Sequence, residues 1–248
     1  MDIVVCISSV PDTTSKINFT DNNSKFEKNN LQFVINPYDE FGLTKAMMLK
    51  ESFGGKVTVL TVGDSSVEPI IRKALAIGAD NGLRINTITN DSYSTALEIA
   101  NYLKKNPFDL IICGRESIDY NGGAVPGMIA ELLQLPFINA CIGLDIENKS
   151  AELIREIDGG KEHISANLPL IIGGQKGLVE ESELRIPNMR GIMQARTKPL
   201  EILEAVNSES LIKSISFEQP PKKSDCTFVS SDNVSELVDL LHNEAKVI

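Results

Sequence analysis

The sequence has no tryptophan and only two histidines, His163 and His242. So few imidazoles leave little material for a histidine-built zinc site or a Ser-His-Asp triad. Its four cysteines, Cys6, Cys113, Cys141 and Cys226, lie far apart and include no CxxC pair, the usual mark of a thiol-metal or redox motif. Three of them sit in apolar runs typical of buried thiols, a usage that fits a reducing compartment. Positive charge is also scarce. Lys and Arg number 24 against 34 Asp and Glu, a formal net charge of −10, which argues against a nucleic-acid surface because phosphate binding needs a basic stripe. The one basic run, Arg185, Arg190, Arg196 and Lys198, reads equally as a solvated face or as a partner contact. No stretch approaches the ~20 apolar residues that cross a bilayer, and MDIVVCISSV enters a β-like run without a basic leader. These features predict a cytoplasmic protein with no membrane insertion. Absent as well are GxGxxG after the first strand, a P-loop and HExxH.

What is present is an alternation. At 248 residues the chain is long enough to bury roughly 70 to 75 % of its unfolded surface. Short runs rich in Ile, Val and Leu at 3–7, 57–62, 83–85 and 110–113 read as buried strands. Segments at 39–52, 66–77, 92–105 and 124–134 carry apolar residues at helical spacing, as in Leu43, Ala46 and Met47. The order β-α-β-α-β-α-β-α predicts an α/β fold: a parallel-sheet, Rossmann-like, adenine-nucleotide-binding domain. Beyond about 137, short runs broken by Asn148-Lys149-Ser150 and Asp158-Gly159-Gly160 predict hairpins on the sheet edge. From Arg185 onward Pro187, Pro199, Pro220 and Pro221 interrupt the chain, and an amphipathic helix at 233–245 closes it. The division expected is an α/β nucleotide-binding domain at 1–200 and an extended C-terminal arm at 201–248, packed on a partner.

The segment 109–127 reads as a buried strand, a glycine-punctuated loop and a helix. Gly122 and Gly123 would let backbone approach a phosphate, and the N–H groups at the start of the helix near Ala124 would stabilise its charge. The other reading is an ordinary βα turn. Asn36 and Pro37 read as an N-cap and a first helical residue, or Asn36 and Asp39 present their side chains to an adenine edge or ribose hydroxyls. Cys6 and Val62 end strands and would form small apolar walls, with Gly63 behind Val62. Glu156 and Asp158 share a strand face as an acid–base pair would, although strand-end carboxylates are usually solvated. No catalytic residues are visible.

Several segments, taken in order, resemble one family: Asn36-Pro37-Tyr38-Asp39-Glu40; the run 74–80, ALAIGAD; the 114–127 loop with Ile118 and Asp119; the run 155–160, REIDGG; Leu168-Pro169; and the run 191–195, GIMQA. Each motif alone is weak, but the ordered set, spanning about residues 1–200, is similar to the beta subunit of electron transfer flavoproteins. The resemblance implies a heterodimer whose alpha subunit holds the redox FAD, while the beta subunit carries AMP as a structural ligand. The pair ferries electrons from flavin dehydrogenases such as acyl-CoA dehydrogenase to a quinone oxidoreductase. It places AMP contacts on Cys6, Asn36, Pro37, Tyr38, Asp39, Val62, Gly114, Arg115, Glu116, Ser117, Ile118, Asp119, Tyr120, Asn121, Gly122, Gly123, Ala124 and Val125. It places Arg155 and Glu156 near the alpha subunit and its flavin, and Met189 and Met193 in a partner-recognition segment, with Met189 as the apolar anchor.

The sequence departs from the mitochondrial-type pattern. Ser8 stands where that pattern has a lysine, Gly123-Ala124-Val125 replace a polar Asn-Gln-Thr run, and lysines are missing near Gln194 and Arg196. Backbone groups are thus left as the main phosphate donors. Electron-bifurcating relatives place a second FAD in the same pocket with a Gly-Asp-Thr loop, which Tyr120-Asn121-Gly122-Gly123 is not, so AMP is the expected ligand. Two other classes compete. An ATP-pyrophosphatase-like enzyme would need an SGGxDS-type loop where this chain reads Ile7-Ser8-Ser9-Val10-Pro11-Asp12, and a nucleotide-sensing stress protein would be a homodimer with no flavin partner.

Overall fold

Runs of branched aliphatic residues build the strands of the computed structural model, which describes residues 1–206, 208–221 and 225–248. Positions 207 and 222–224 of the expected arm lie outside the described residues. The first half follows the expected alternation. Its strands are β1 (Asp2–Cys6), β2 (Lys56–Val62), β3 (Asn81–Asn86) and β4 (Leu110–Gly114). They are connected by α1 (Pro37–Phe53), α2 (Glu68–Ile77) and α3 (Ser92–Lys105), and α4 (Val125–Leu133) follows β4. Next come β5 (Phe137–Glu147), β6 (Ser150–Ile157), β7 (Gly160–Asn167) and β8 (Leu170–Gly174). The chain continues through α5 (Met189–Ala195), β9 (Leu200–Glu204) and α6 (Val234–Asp239), which runs into a further helical turn at Leu240–Glu244.

All nine of these strands join one sheet in the order β7-β6-β5-β8-β4-β1-β2-β3-β9. The pairs β5–β6 and β6–β7 are antiparallel, and every other pair is parallel. The expected edge hairpins are therefore present, turning at Asn148 (φ 56°) and Gly159 (φ 83°). β8 is different. It follows the hairpins in sequence yet inserts between β5 and β4, with Ile171 in register with Ile111. Its five residues are all buried, as a parallel strand covered on both faces must be. Another strand, β9, lies just past residue 200 and extends the far edge beside β3.

Side-chain alternation divides the core in two. Ile3, Val5, Leu110, Ile112 and Ile172 face α1 and α2, while Val4, Cys6, Ile111, Cys113 and Ile171 face α3 and α4. The change of face after β3 is what right-handed crossovers require once the chain returns to the other side of β1. α1 starts cleanly because Pro37 occupies its first turn with Glu40, while Lys50 lies in its last turn, each charge matching the helix dipole. It lies close on β4: a Cβ at Gly42 would come within 2.7 Å of Ile112. The start of the arm is held by acid groups of α3. Glu98 accepts from the N–H groups of Val206 (2.9 Å) and Ser208 (3.0 Å), and Asp91 from those of Leu211 (2.5 Å) and Ile212 (2.9 Å).

Candidate nucleotide site

The strand order reverses between β1 and β4, since β2 and β3 lie on one side of β1 and β4 on the other. In open α/β sheets the carboxyl ends flanking such a reversal form a crevice where ligands bind. Ser8 just after β1, Gly114 at the end of β4 and the first turn of α1 meet there. Asp39, 3 % exposed, straps the crevice: its Oδ2 accepts from Ser8 N–H at 2.7 Å and its Oδ1 from Gly114 N–H at 2.9 Å. Burial pushes the Asp39 carboxyl up to about 7, against the opposing pull of the Ser8 N–H, the Asn36 side chain and the Gly114 N–H. Gly114 has to be glycine, because a Cβ would overlap the Asp39 carboxylate and come within 2.8 Å of Tyr38 Cβ.

Asn36 does not cap α1 with its side chain. Instead its Nδ2 donates to Glu116 O at 2.8 Å and its Oδ1 accepts from Ile118 N–H at 3.3 Å, so the buried amide holds the first half of the 114–127 loop. The loop folds on itself through Ser117 N–H to Gly122 O at 3.2 Å, and Ser117 Oγ also bonds Asp119. Its left-handed residue is Asn121 (φ 50°), not either glycine. Asn and Asp are the side-chain-bearing residues that tolerate this region best. A Cβ at Gly122 would meet open space, whereas one at Gly123 would lie 3.2 Å from Arg115 O. Tyr120 projects outward, 69 % exposed. α4 then begins with no side-chain cap, Ala124 standing at the cap position and Pro126 in the first turn. The N–H groups of Val125 and Gly127 therefore have no protein acceptor among the described residues, the condition under which a helix start takes an anion.

Cys6 and Cys113 are neighbours across β1 and β4, both buried against α3 and α4. Contact with Cys6 and burial raise the Cys113 thiol well above its usual value. Val62 ends the next strand and packs on the same cluster. Arg115 pairs with Glu116 of the loop (3.6 Å) and donates from Nη1 to Gln175 Oε1 at 2.6 Å, and Gln175 Nε2 donates to Glu156 Oε2 at 2.5 Å. Arg155, next to Glu156, pairs with Glu162 of β7 at 2.5 Å. Met189 and Met193 lie elsewhere, on α5 against α2, and are 75 % and 68 % exposed. Of the basic run, Arg185 is spent on Glu51 (2.7 Å) and Lys198 on the carbonyls of Leu75 and Ala79. Burial lowers the Lys198 amine.

Ser8, which stands where the mitochondrial-type pattern has a lysine, supplies only a backbone donor to Asp39. One participant had no mark in the sequence: Gln175, buried at 3 % exposure between Arg115 and Glu156. The available signal for Gln175 was its place directly after Leu-Ile-Ile-Gly-Gly, the end of an apolar run.

A largely parallel sheet covered on both faces, with a glycine-bearing loop and an uncapped helix start at its strand-order reversal, defines an open α/β architecture. The family model described as electron transfer flavoprotein domain matches residues 24–208. The electron transfer flavoprotein subunit beta of Bacillus subtilis is 37 % identical over the whole of both chains. That of Syntrophomonas wolfei is 34 % identical over 90 % of this chain and 87 % of its own, and the mitochondrial one of Arabidopsis thaliana is 33 % identical over the whole of both. The chain belongs to the electron transfer flavoprotein family, on its beta-subunit side. No helix among the described residues is long and apolar enough to cross a membrane.

Proposed function

We propose that this chain is the beta subunit of a heterodimeric electron carrier, holding AMP as a structural ligand in the crevice between β1 and β4. Its alpha subunit would hold the FAD that carries electrons from flavin dehydrogenases, acyl-CoA dehydrogenase among them, to a quinone oxidoreductase. The observation that carries the nucleotide reading is the pairing of an uncapped α4 start with the open space at Gly122. Backbone N–H groups there suit a phosphate without a lysine. Asn36 and Asp39 brace the cradle from behind, their polar atoms already engaged by loop and strand-end backbone, and Cys6 and Val62 supply its apolar side. AMP would stabilise the fold by mass action, and FAD would supply the electron chemistry. The chain's own residues orient, dock and exclude water, so it acts as a carrier subunit and not as an enzyme. Arg155 and Glu156 face the alpha subunit, the arm at 201–248 packs on it, and Met189 and Met193 meet the dehydrogenase. The three buried free thiols, Cys6, Cys113 and Cys141, suit a cytoplasmic setting.

Denaturing the purified heterodimer and identifying what is released tests this reading. One AMP and one FAD are expected per heterodimer. Two FAD and no AMP would replace it with a bifurcating-type subunit, and release of no nucleotide from this chain would remove the cradle.

A further inference from the structure

Arg115 is the first residue of the loop beyond β4; its guanidinium lies 3.6 Å from the Glu116 carboxylate of the same loop and also reaches Gln175, which in turn reaches Glu156 on β6. The two bonds, 2.6 and 2.5 Å, are each assisted by a full charge, on Arg115 at one end and on Glu156 at the other. The backbone runs alongside: Arg115 N–H donates to Gly174 O at 2.8 Å, and Gln175 N–H to Cys141 O at 3.1 Å. Packing around the link is tight. A Cβ at Gly173 would overlap the Asn139 side chain and lie 3.3 Å from Arg115 Cα, and the Asn139 Oδ1 there is buried without a partner. The backbone of Arg115 is thus packed closely against β8, so a displacement at the base of the loop is passed to that strand, as close-packed interiors transmit displacement.

Satisfying a buried amide requires only some partner. Gln175 instead joins two groups that each reach solvent and belong to different elements: Arg115 at the base of the loop, and Glu156 on the hairpin where Arg155 pairs with Glu162. The glutamine amide suits both ends, accepting from Arg115 through its oxygen and donating to Glu156 through its nitrogen. We propose that Gln175 is a positioning residue that couples anion binding at the 114–127 loop to the β6–β7 hairpin. An AMP phosphate that orders the loop would fix Arg115, and through Gln175 fix Glu156 and the face beside it. The inference rests on the reading of the loop as a nucleotide phosphate cradle.

Hydrogen–deuterium exchange of peptides covering 150–167 tests it, in the purified heterodimer stripped of nucleotide and then saturated with AMP, with bound AMP measured in parallel by extraction. In the native protein AMP should slow hairpin exchange on the order of two- to thirtyfold. Gln175→Leu should still bind AMP but lose that response. Gln175→Glu, which keeps an acceptor for Arg115 but sets a carboxylate against Glu156, should lose it too and decides the matter if the leucine variant does not fold. Combining Gln175→Glu with Glu156→Gln restores a donor facing a carboxylate and should bring the response back. An equal response in the single variants, or none in the native protein although AMP is bound, overturns the coupling. Failure of the native protein to bind AMP refutes the cradle itself, and the coupling with it.

Discussion

Asp39→Asn isolates the strap across the crevice. Both oxygens of the carboxyl group accept an N–H, and on protonation the hydroxyl oxygen keeps a lone pair for one, whereas the amide presents an oxygen to only one of them. Its NH₂ must face the other donor, at a cost of about 1–3 kcal/mol for the group left unpaired. The pH dependence acts in the opposite direction. Burial raises the carboxyl from 3.8 to about 7, so between those values the folded protein holds a proton that the unfolded chain has released. Stability then falls as pH rises through that window and levels off above about 7. At roughly 1.4 kcal/mol per tenfold step, the part of the window between pH 5 and 8 amounts to about 3 kcal/mol. The asparagine variant has no such dependence. It should be less stable than the native protein at pH 5, then draw level with it or pass it by pH 8. Denaturant titrations of both proteins at pH 5, 6, 7 and 8, compared as differences so that other groups cancel, measure this directly. A difference that stays constant across the range refutes the reasoning, because it would mean that the two N–H groups hold Asp39 ionised without penalty from burial.

Gly114→Ala should destabilise the protein by about 1–3 kcal/mol through overpacking against Asp39 and Tyr38; denaturant titration reads the stability and extraction reads lowered AMP retention. Asp91→Ala removes the side-chain cap of α3, worth about 1 kcal/mol, and two bonds to the arm; limited proteolysis should cut faster near 206–212. The Ser94 hydroxyl and N–H, with the arm N–H groups adding to them, lower the Asp91 carboxyl to about 2. The stability contributed by Asp91 is therefore complete above about 4 and lost as pH falls toward 2. Met189→Ala should slow flavin reduction by a dehydrogenase while leaving the flavin spectrum unchanged; stopped-flow absorbance distinguishes this from an unchanged rate, which would end the anchor role.

The sequence by itself determined the four central strands and the helices of the first half, since apolar runs of strand length and a period of 3.6 residues are local properties of the chain. It also placed the glycine loop at the end of a buried strand and the turns of the edge hairpins. It did not determine neighbours. A run such as Leu170–Gly174 is equally apolar at an edge or in the middle of a parallel sheet, because burial on both faces leaves no alternation to read. Only assembly put β8 between β5 and β4, and so brought Gln175 between Arg115 and Glu156. The same holds for Asn36. Its position before Pro37 reads locally as a cap, yet its amide bonds Glu116 and Ile118, residues about 80 positions away. A buried polar group takes whichever partner the fold brings within reach, and for a crevice between β1 and β4 those partners come from segments that meet only in the folded chain.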